Sequence, residues 1–189
     1  ITQLVHGKGT VSDALKHRKK PPHQVPSRLL ALAETRRPVV FWNITSMCNL
    51  ACAHCYISAG TAGHSRELTT EEAKAFIEDL AQMKIPLLLF TGGEPLMRRD
   101  FWELADYATA HGLKTALSTN GTLITREVAT RIKESGIEYV GISLDGATEE
   151  THDRIRNQPG CFKKAVRALR NCADIGLTVS YTHLTLPTT

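Results

Sequence analysis

VVFWNITSMCNLACAHCYI (Val39–Ile57) runs from an apolar, β-branched and aromatic segment straight into three cysteines. Val39–Ile44 has the composition of a buried strand. Cys48, Cys52 and Cys55 follow within eight residues. Whatever they bind therefore sits at the carboxy-terminal end of that strand, and the fold depends on what the chain builds around it.

Downstream, short apolar runs alternate with helical patterns. A helix is expected over Thr70–Met83, with Thr70 as its cap, Glu71 and Glu72 at its positive end, and Ala73, Phe76, Ile77 and Leu80 at helical spacing. Leu87–Phe90 is too short and too apolar for a surface helix and reads as a buried parallel strand. A helix over Arg99–His111 stops at Gly112, and the cycle repeats. It gives a strand at Leu113–Leu117, a helix at Thr125–Ser135, a strand at Glu138–Leu144, a helix at Cys161–Ile175 and a strand at Leu177–Tyr181. This is the rhythm of βαβ units and an α/β fold with a parallel sheet, curled toward a barrel or doubly wound. Each of the first four strands is followed by a polar or glycine-bearing segment: the cysteines, TGGEP (Thr91–Pro95), STNG (Ser118–Gly121) and SLDG (Ser143–Gly146). In parallel α/β folds ligands bind at that edge, so the four segments describe one site.

Composition limits the function classes. A chain of 189 residues with 42% hydrophobic residues suits one soluble globular domain. There is no uninterrupted apolar run of about 18 residues to span a membrane, and no secretory signal. Five cysteines, three of them crowded, argue against a secreted disulfide framework and for a reducing, cytoplasmic setting. The first 38 residues form a basic leader, with eight Lys/Arg against Asp13 and Glu34. Such a leader is either a solvated arm or an attractor of an anionic substrate.

Three chemistries compete for the cysteines. A dithiol redox site would use the C-x-x-C of Cys52–Cys55 but leaves Cys48 idle. Structural zinc wants a fourth ligand: His54, inside the C-x-x-C, is poorly placed to join the same tetrahedron, and His64 is a possible one that lacks a partner spacing. An iron–sulfur cluster held by three thiolates keeps one iron open for another ligand, which suits a catalytic centre. Cys161 and Cys172 have no partner at metal spacing and read as free, buried thiols.

The C-x-x-x-C-x-x-C spacing followed by Tyr56, then GGEP at Gly92–Pro95, STNG and SLDG in that order, resembles the radical S-adenosylmethionine (SAM) superfamily from about Val39 to Val179. The resemblance implies a partial (β/α)6 TIM-like barrel, truncated after about the fifth strand, with a core over 39–180. It implies a 4Fe-4S cluster on Cys48, Cys52 and Cys55, and SAM on its open iron. SAM contacts are expected from Gly92, Gly93, Glu94, Ser118, Asn120, Ser143, Arg156 and the backbone of His54. Gly92 and Gly93 would let the main chain approach the SAM ammonium. Ser143 would donate a hydrogen bond to a carboxylate or ribose oxygen. Arg156, rather than Arg154, would pair with the SAM carboxylate in a bidentate fork. Glu94 is either a strut for its loop or a helix-start acid, Asn120 a ribose contact or a left-handed turn residue, and Asp145 a turn former.

SDALKHRKK, PSRLLALAETRRPVVF and LLLFTGGEPLMRRD look like the haem-pathway branch of the superfamily. The implied substrate is a siroheme-derived tetrapyrrole, and the alternative is a peptide, as in thioether-forming maturases. A non-enzymatic zinc or dithiol module would leave GGEP and SLDG unexplained. The implied partners are a small-molecule substrate and an electron donor such as ferredoxin or flavodoxin, with no nucleic acid and no membrane. The ending, YTHLTLPTT (Tyr181–Thr189), departs from the family pattern and is expected to be a non-native tail that leaves an open strand edge.

Overall fold

The computed structural model describes residues 37–61 and 67–183, so most of the basic leader and residues 184–189 lie outside the described residues. The opening apolar segment forms β1 (Val40–Thr45). It is joined by β2 (Leu88–Gly92), β3 (Thr115–Thr119), β4 (Ile137–Leu144) and β5 (Thr178–His183). All neighbours are parallel and the spatial order is β1-β2-β3-β4-β5. The order never reverses, so there is no doubly wound switch point. A sheet that grows in one direction, with a helix after each strand, is an arc of a β/α barrel. β5 runs to His183 in register with β4, pairing Ile142 with Tyr181 and Leu144 with His183.

Among the described residues, five α-helices connect or flank these strands. α1 (Thr70–Gln82) has Thr69, not Thr70, as its cap. Thr69 and Glu72 form a reciprocal capping box, with Thr69 N donating to Glu72 Oε2 at 2.8 Å. The Thr70 hydroxyl is engaged elsewhere, donating to Asp100 Oδ2 at 2.7 Å. α2 (Phe101–Ala110), α3 (Arg126–Glu134) and α5 (Cys161–Asp174) lie where the periodicity puts them. α4 (Glu149–Arg156) is an addition, since its sequence carries no apolar stripe. No helix among the described residues is long and apolar enough to cross a membrane.

The core lies between the sheet and the helices. Ile44, Leu88, Phe90, Leu117, Val140 and Ile142 point one way and pack with Ile77, Phe101, Leu104, Ile132 and Ala168. The alternate residues face the concave side, which is polar toward the carboxy-terminal ends of the strands: Asn43, Thr91, Ser118 and Ser143. The binding edge is therefore cut into the concave face of a half-barrel.

Candidate metal centre

The three cysteines sit on a loop clamped from both sides. Before it, Glu67 accepts hydrogen bonds from Thr45 Oγ1 at 3.0 Å and from Ser46 N and Oγ, both at 2.7 Å. Burial works against this carboxylate, but the Ser46 and Thr45 donors hold its pKa below the ordinary value. Arg98, buried, donates to Ile44 O at 2.7 Å and Leu68 O at 2.8 Å while pairing with Asp100. One guanidinium thereby ties the end of β1 to the start of α1.

From the β2 side, Gly93 N donates to Thr45 O at 2.8 Å and Glu94 N to Met47 O at 2.7 Å. A Cβ on Gly92 would stand 2.3 Å from Thr45 O, and one on Gly93 2.2 Å from Met47 O. The sequence suggests that these glycines clear space for a ligand. In the structure the closest neighbour they clear is the cysteine loop itself, which can reach β2 only where both side chains are missing.

The loop opens into a cleft of about 180 Å³ at the carboxy-terminal edge of the sheet. Cys48, Cys52, Cys55 and His54 form one wall. Gly92, Gly93, Ser118, Asn120, Ser143 and Arg156 come from the other loops. Every expected site residue lines this cleft except Glu94. Arg154 is exposed, whereas Arg156 is buried and faces the cleft. The left-handed residue in STNG is Gly121, with φ 76°, and not Asn120. Asn120 instead donates through Nδ2 to Asn49 Oδ1 at 2.9 Å, bracing its loop against the cysteine loop.

Glu94 stands directly behind the cleft with no exposure. Its carboxylate accepts from Thr119 Oγ1 at 2.8 Å and Asn120 N at 2.9 Å, and caps the turn Pro95–Met97 through Leu96 N at 3.3 Å. It is at once the helix-start acid and the strut. Burial pushes its pKa up to about 7, against the pull of those donors. Between pH 4.5 and 7 the unfolded chain has lost this proton while the folded chain keeps it, so the group lowers stability as pH rises through that window. The total is on the order of 3 kcal/mol. In urea melts, Glu94→Gln should therefore gain stability relative to the parent between pH 5 and pH 8. A difference constant across that range would overturn the assignment.

The SLDG turn does more than form a turn. Asp145, 4% exposed, has its Oδ2 2.5 Å from Arg156 Nε and 3.5 Å from His54 Nε2. The Arg156 contact is ionic and not an aligned hydrogen bond, for neither Nε nor Oδ2 has a hydrogen-bond partner. Asp145 N donates to Nδ1 of the buried His152 at 3.1 Å, which places the neutral ring's proton on Nε2. Burial holds the His152 pKa below its ordinary value. Gly146 permits this approach, since a Cβ there would lie 2.7 Å from His152 N.

The donor set fits a polynuclear iron cluster better than a single zinc. Each loop sulfur has an N–H donor: Leu50 N to Cys48 at 3.4 Å, Ala59 N to Cys55 at 3.3 Å, and Arg156 Nη1 to Cys52 at 3.6 Å. Such bonds stabilise bridging or terminal thiolates and tune their potential. Among the described residues, the one set of three ligating atoms mutually within 4.8 Å is His152, Asp153 and Cys161, so the loop sulfurs do not close to that range. Tetrahedral zinc would hold them about 3.8 Å apart. The His152 set is structural: Asp153 accepts from Phe162 N at 2.8 Å, Gly160 N at 2.5 Å and Cys161 Sγ at 3.1 Å. Burial and that acid push the Cys161 thiol up to about 12, and burial pushes Cys172 up to about 11, so both are inert, protonated thiols.

Sheet order, cleft and sulfur set define an α/β half-barrel with a three-cysteine loop at the end of its first strand. The radical SAM superfamily model matches residues 42–189, and the chain belongs to that superfamily. It is 48% identical over 179 residues to the Fe-coproporphyrin III synthase of Methanosarcina barkeri, covering 95% of this chain and 44% of the relative. It is 50% identical over 135 residues to the mycofactocin maturase MftC of Mycobacterium tuberculosis, covering 71% of this chain and 34% of the relative. The fold matches a solved AdoMet-bound structure, native anSMEcpe, with TM-score 0.63 and 24% identity over 76% of this chain and 42% of that one. The chain thus spans less than half the length of each of these three proteins. The superfamily's cofactors are a 4Fe-4S cluster and SAM.

Proposed function

We propose that this chain is the cluster- and SAM-binding part of an enzyme acting on a carboxylate-bearing, siroheme-derived tetrapyrrole in haem biosynthesis. The observation that carries the substrate class is the 48% identity to Fe-coproporphyrin III synthase across 95% of the chain, basic leader included. The leader's charge suits a polycarboxylate. A peptide substrate is the second reading, favoured by the 50% identity to the MftC maturase, although over a shorter stretch.

In this proposal Cys48, Cys52 and Cys55 hold the cluster, and the N–H groups on their sulfurs stabilise the thiolate charge. When bound, the cluster and SAM together supply one-electron reductive cleavage of SAM to methionine and a 5′-deoxyadenosyl radical that abstracts a substrate hydrogen. Gly92 and Gly93 offer backbone carbonyls to the SAM ammonium. Ser118, Ser143 and Asn120 bind hydroxyl or carboxylate oxygens, His54 offers its backbone near the adenine, and Arg156 holds the carboxylate. Asp145 orients Arg156 and Glu94 braces the Asn120 loop, so both position groups without touching the ligand. The electron comes from a ferredoxin or flavodoxin in a reducing cytoplasm, and neither nucleic acid nor membrane takes part.

Anaerobic reconstitution with iron and sulfide should give a brown protein with broad visible absorption, and Cys48→Ala, Cys52→Ala or Cys55→Ala should each remove it. A colourless protein holding one zinc overturns the cofactor assignment. With SAM and reductant, turnover of a siroheme derivative supports the tetrapyrrole, whereas turnover of a peptide alone supports the second reading.

A further inference from the structure

We propose that the outer face of α5 is the docking surface for an acidic, one-electron donor protein; this rests on the iron–sulfur reading above. α5 buries Ala165, Ala168 and Cys172 in the core and Cys161 against the cysteine loop, and exposes Lys163, Lys164, Arg167 and Arg170. The helix has no acid before Asp174. Lys163 pairs with Glu149 at 3.0 Å, but among the described residues no carboxylate pairs with Lys164, Arg167 or Arg170. The half-buried helical cations Lys74 and Arg131 meet acids, Glu103 at 2.6 Å and Asp106 at 2.5 Å, whereas Lys164, Arg167 and Arg170 form an exposed cluster without a carboxylate among the described residues.

The surface also has the form of an interface. Phe162 and Val166, both half-buried, floor a groove of about 300 Å³ rimmed by Lys163, Arg167 and Arg170. An apolar centre with a charged rim is the usual anatomy of a transient protein contact.

Its position gives the partner's chemistry. Cys161, the first residue of α5, is packed with Cys48, Leu50 and Cys52 of the cysteine loop. Just before it, Ala53 N donates to Ile155 O at 3.0 Å, binding that loop to α4. At about 1.5 Å rise per residue, Lys163–Arg170 lies within roughly 14 Å of Cys161 along the helix axis. A partner seated there is linked to the thiolate loop through Cys161 in the helix's first turn, and the groove shares no lining residue with the cleft. The reaction consumes one electron at that loop. In the docked step the donor is oxidised by one electron and the cluster reduced by one, and no bond or proton moves. A donor with an acidic face is steered to the cations and reaches the loop without competing for the cleft.

The test compares the reconstituted protein with a Lys164→Glu/Arg167→Glu/Arg170→Glu variant, using a reduced acidic flavodoxin as probe. These three residues are exposed and pair with no carboxylate among the described residues, so the melting temperature should stay close to the parent's. Flavodoxin affinity at low salt should fall about 10-fold or more in the variant, and the parent's affinity should fall as salt rises. Cluster bleaching by flavodoxin in stopped flow should slow by a similar factor, while bleaching by dithionite stays equal in both proteins. Equal flavodoxin binding and bleaching in the two proteins overturns the proposal. So does a matching loss with dithionite, or binding of RNA or anionic vesicles through these residues with flavodoxin unaffected. Failure of the iron–sulfur reading shows separately, as a protein that takes up no colour, and flavodoxin binding alone then judges the surface.

Discussion

Gly93→Ala is expected to unfold the cysteine loop, costing roughly 3 kcal/mol or more and most of the bound iron. The added Cβ would stand 2.2 Å from Met47 O and 2.7 Å from Met47 C, both backbone atoms that cannot rotate away. To relieve the overlap the β2 edge and the cysteine loop must separate. That breaks Gly93 N to Thr45 O and Glu94 N to Met47 O, the two bonds that fix the loop's height above the sheet. Gly93 has no positive φ, so the cost is steric and owes nothing to backbone strain. Gly60 is a built-in control: it lies in the same loop, has ordinary φ, and a Cβ there meets nothing within 4 Å. Gly60→Ala should therefore stay within about 0.5 kcal/mol of the parent. Urea melts and iron content after reconstitution read both variants, and equal behaviour of the two would sink the argument.

The second large effect belongs to Asp145. Arg156 is 9% exposed and its charge is compensated by a carboxylate 2.5 Å away. Removing one member of a buried ion pair leaves the other desolvated and unpaired, which costs about 3–5 kcal/mol. Asp145→Ala should lose that much, and Asp145→Asn, which keeps the volume, should lose a large share of it because the contact depends on charge. The double variant Asp145→Ala/Arg156→Ala should be less destabilised than the sum of the singles, since no orphan charge remains. Additive losses would show that the pair does not couple. SAM affinity, by calorimetry on the reconstituted protein, should fall in Asp145→Asn even where folding is restored by lower temperature.

The strand rhythm and the site edge were legible because they rest on local composition. Leu88 and Phe90 need only be apolar and short in run, and the cysteines need only their spacing. α4 was not legible for a physical reason: its buried residues are His152 and Arg156, polar groups whose burial depends on Asp145 and the cysteine loop. A search for apolar periodicity passes over such a helix. Arg98 and Glu67 escaped for a related reason. Arg98 reaches Ile44 O across 54 positions, and Glu67 reaches Ser46 across 21, so nothing local in MRRD or REL announces a clamp. The glycines of GGEP were read for their chemistry when their nearest constraint is steric. Asp145 looked like a turn residue because turns do favour aspartate; its partner is 11 residues on.

One contact bears on how the protein is made. Arg156 Nη1 meets Cys52 Sγ across 104 positions of chain. At ribosomal rates of about 5–20 residues per second, Cys52 leaves the ribosome roughly 5–20 s before Arg156 exists to cover it. During that interval the loop lacks Arg156, the Asp145 pair and the floor that Cys161 provides. The thiols that define the centre are thus the first part of it to be synthesised and the last to be enclosed. Whatever loads or protects them has a window set by translation speed, and synonymous changes that slow the ribosome between codons 55 and 156 would lengthen it.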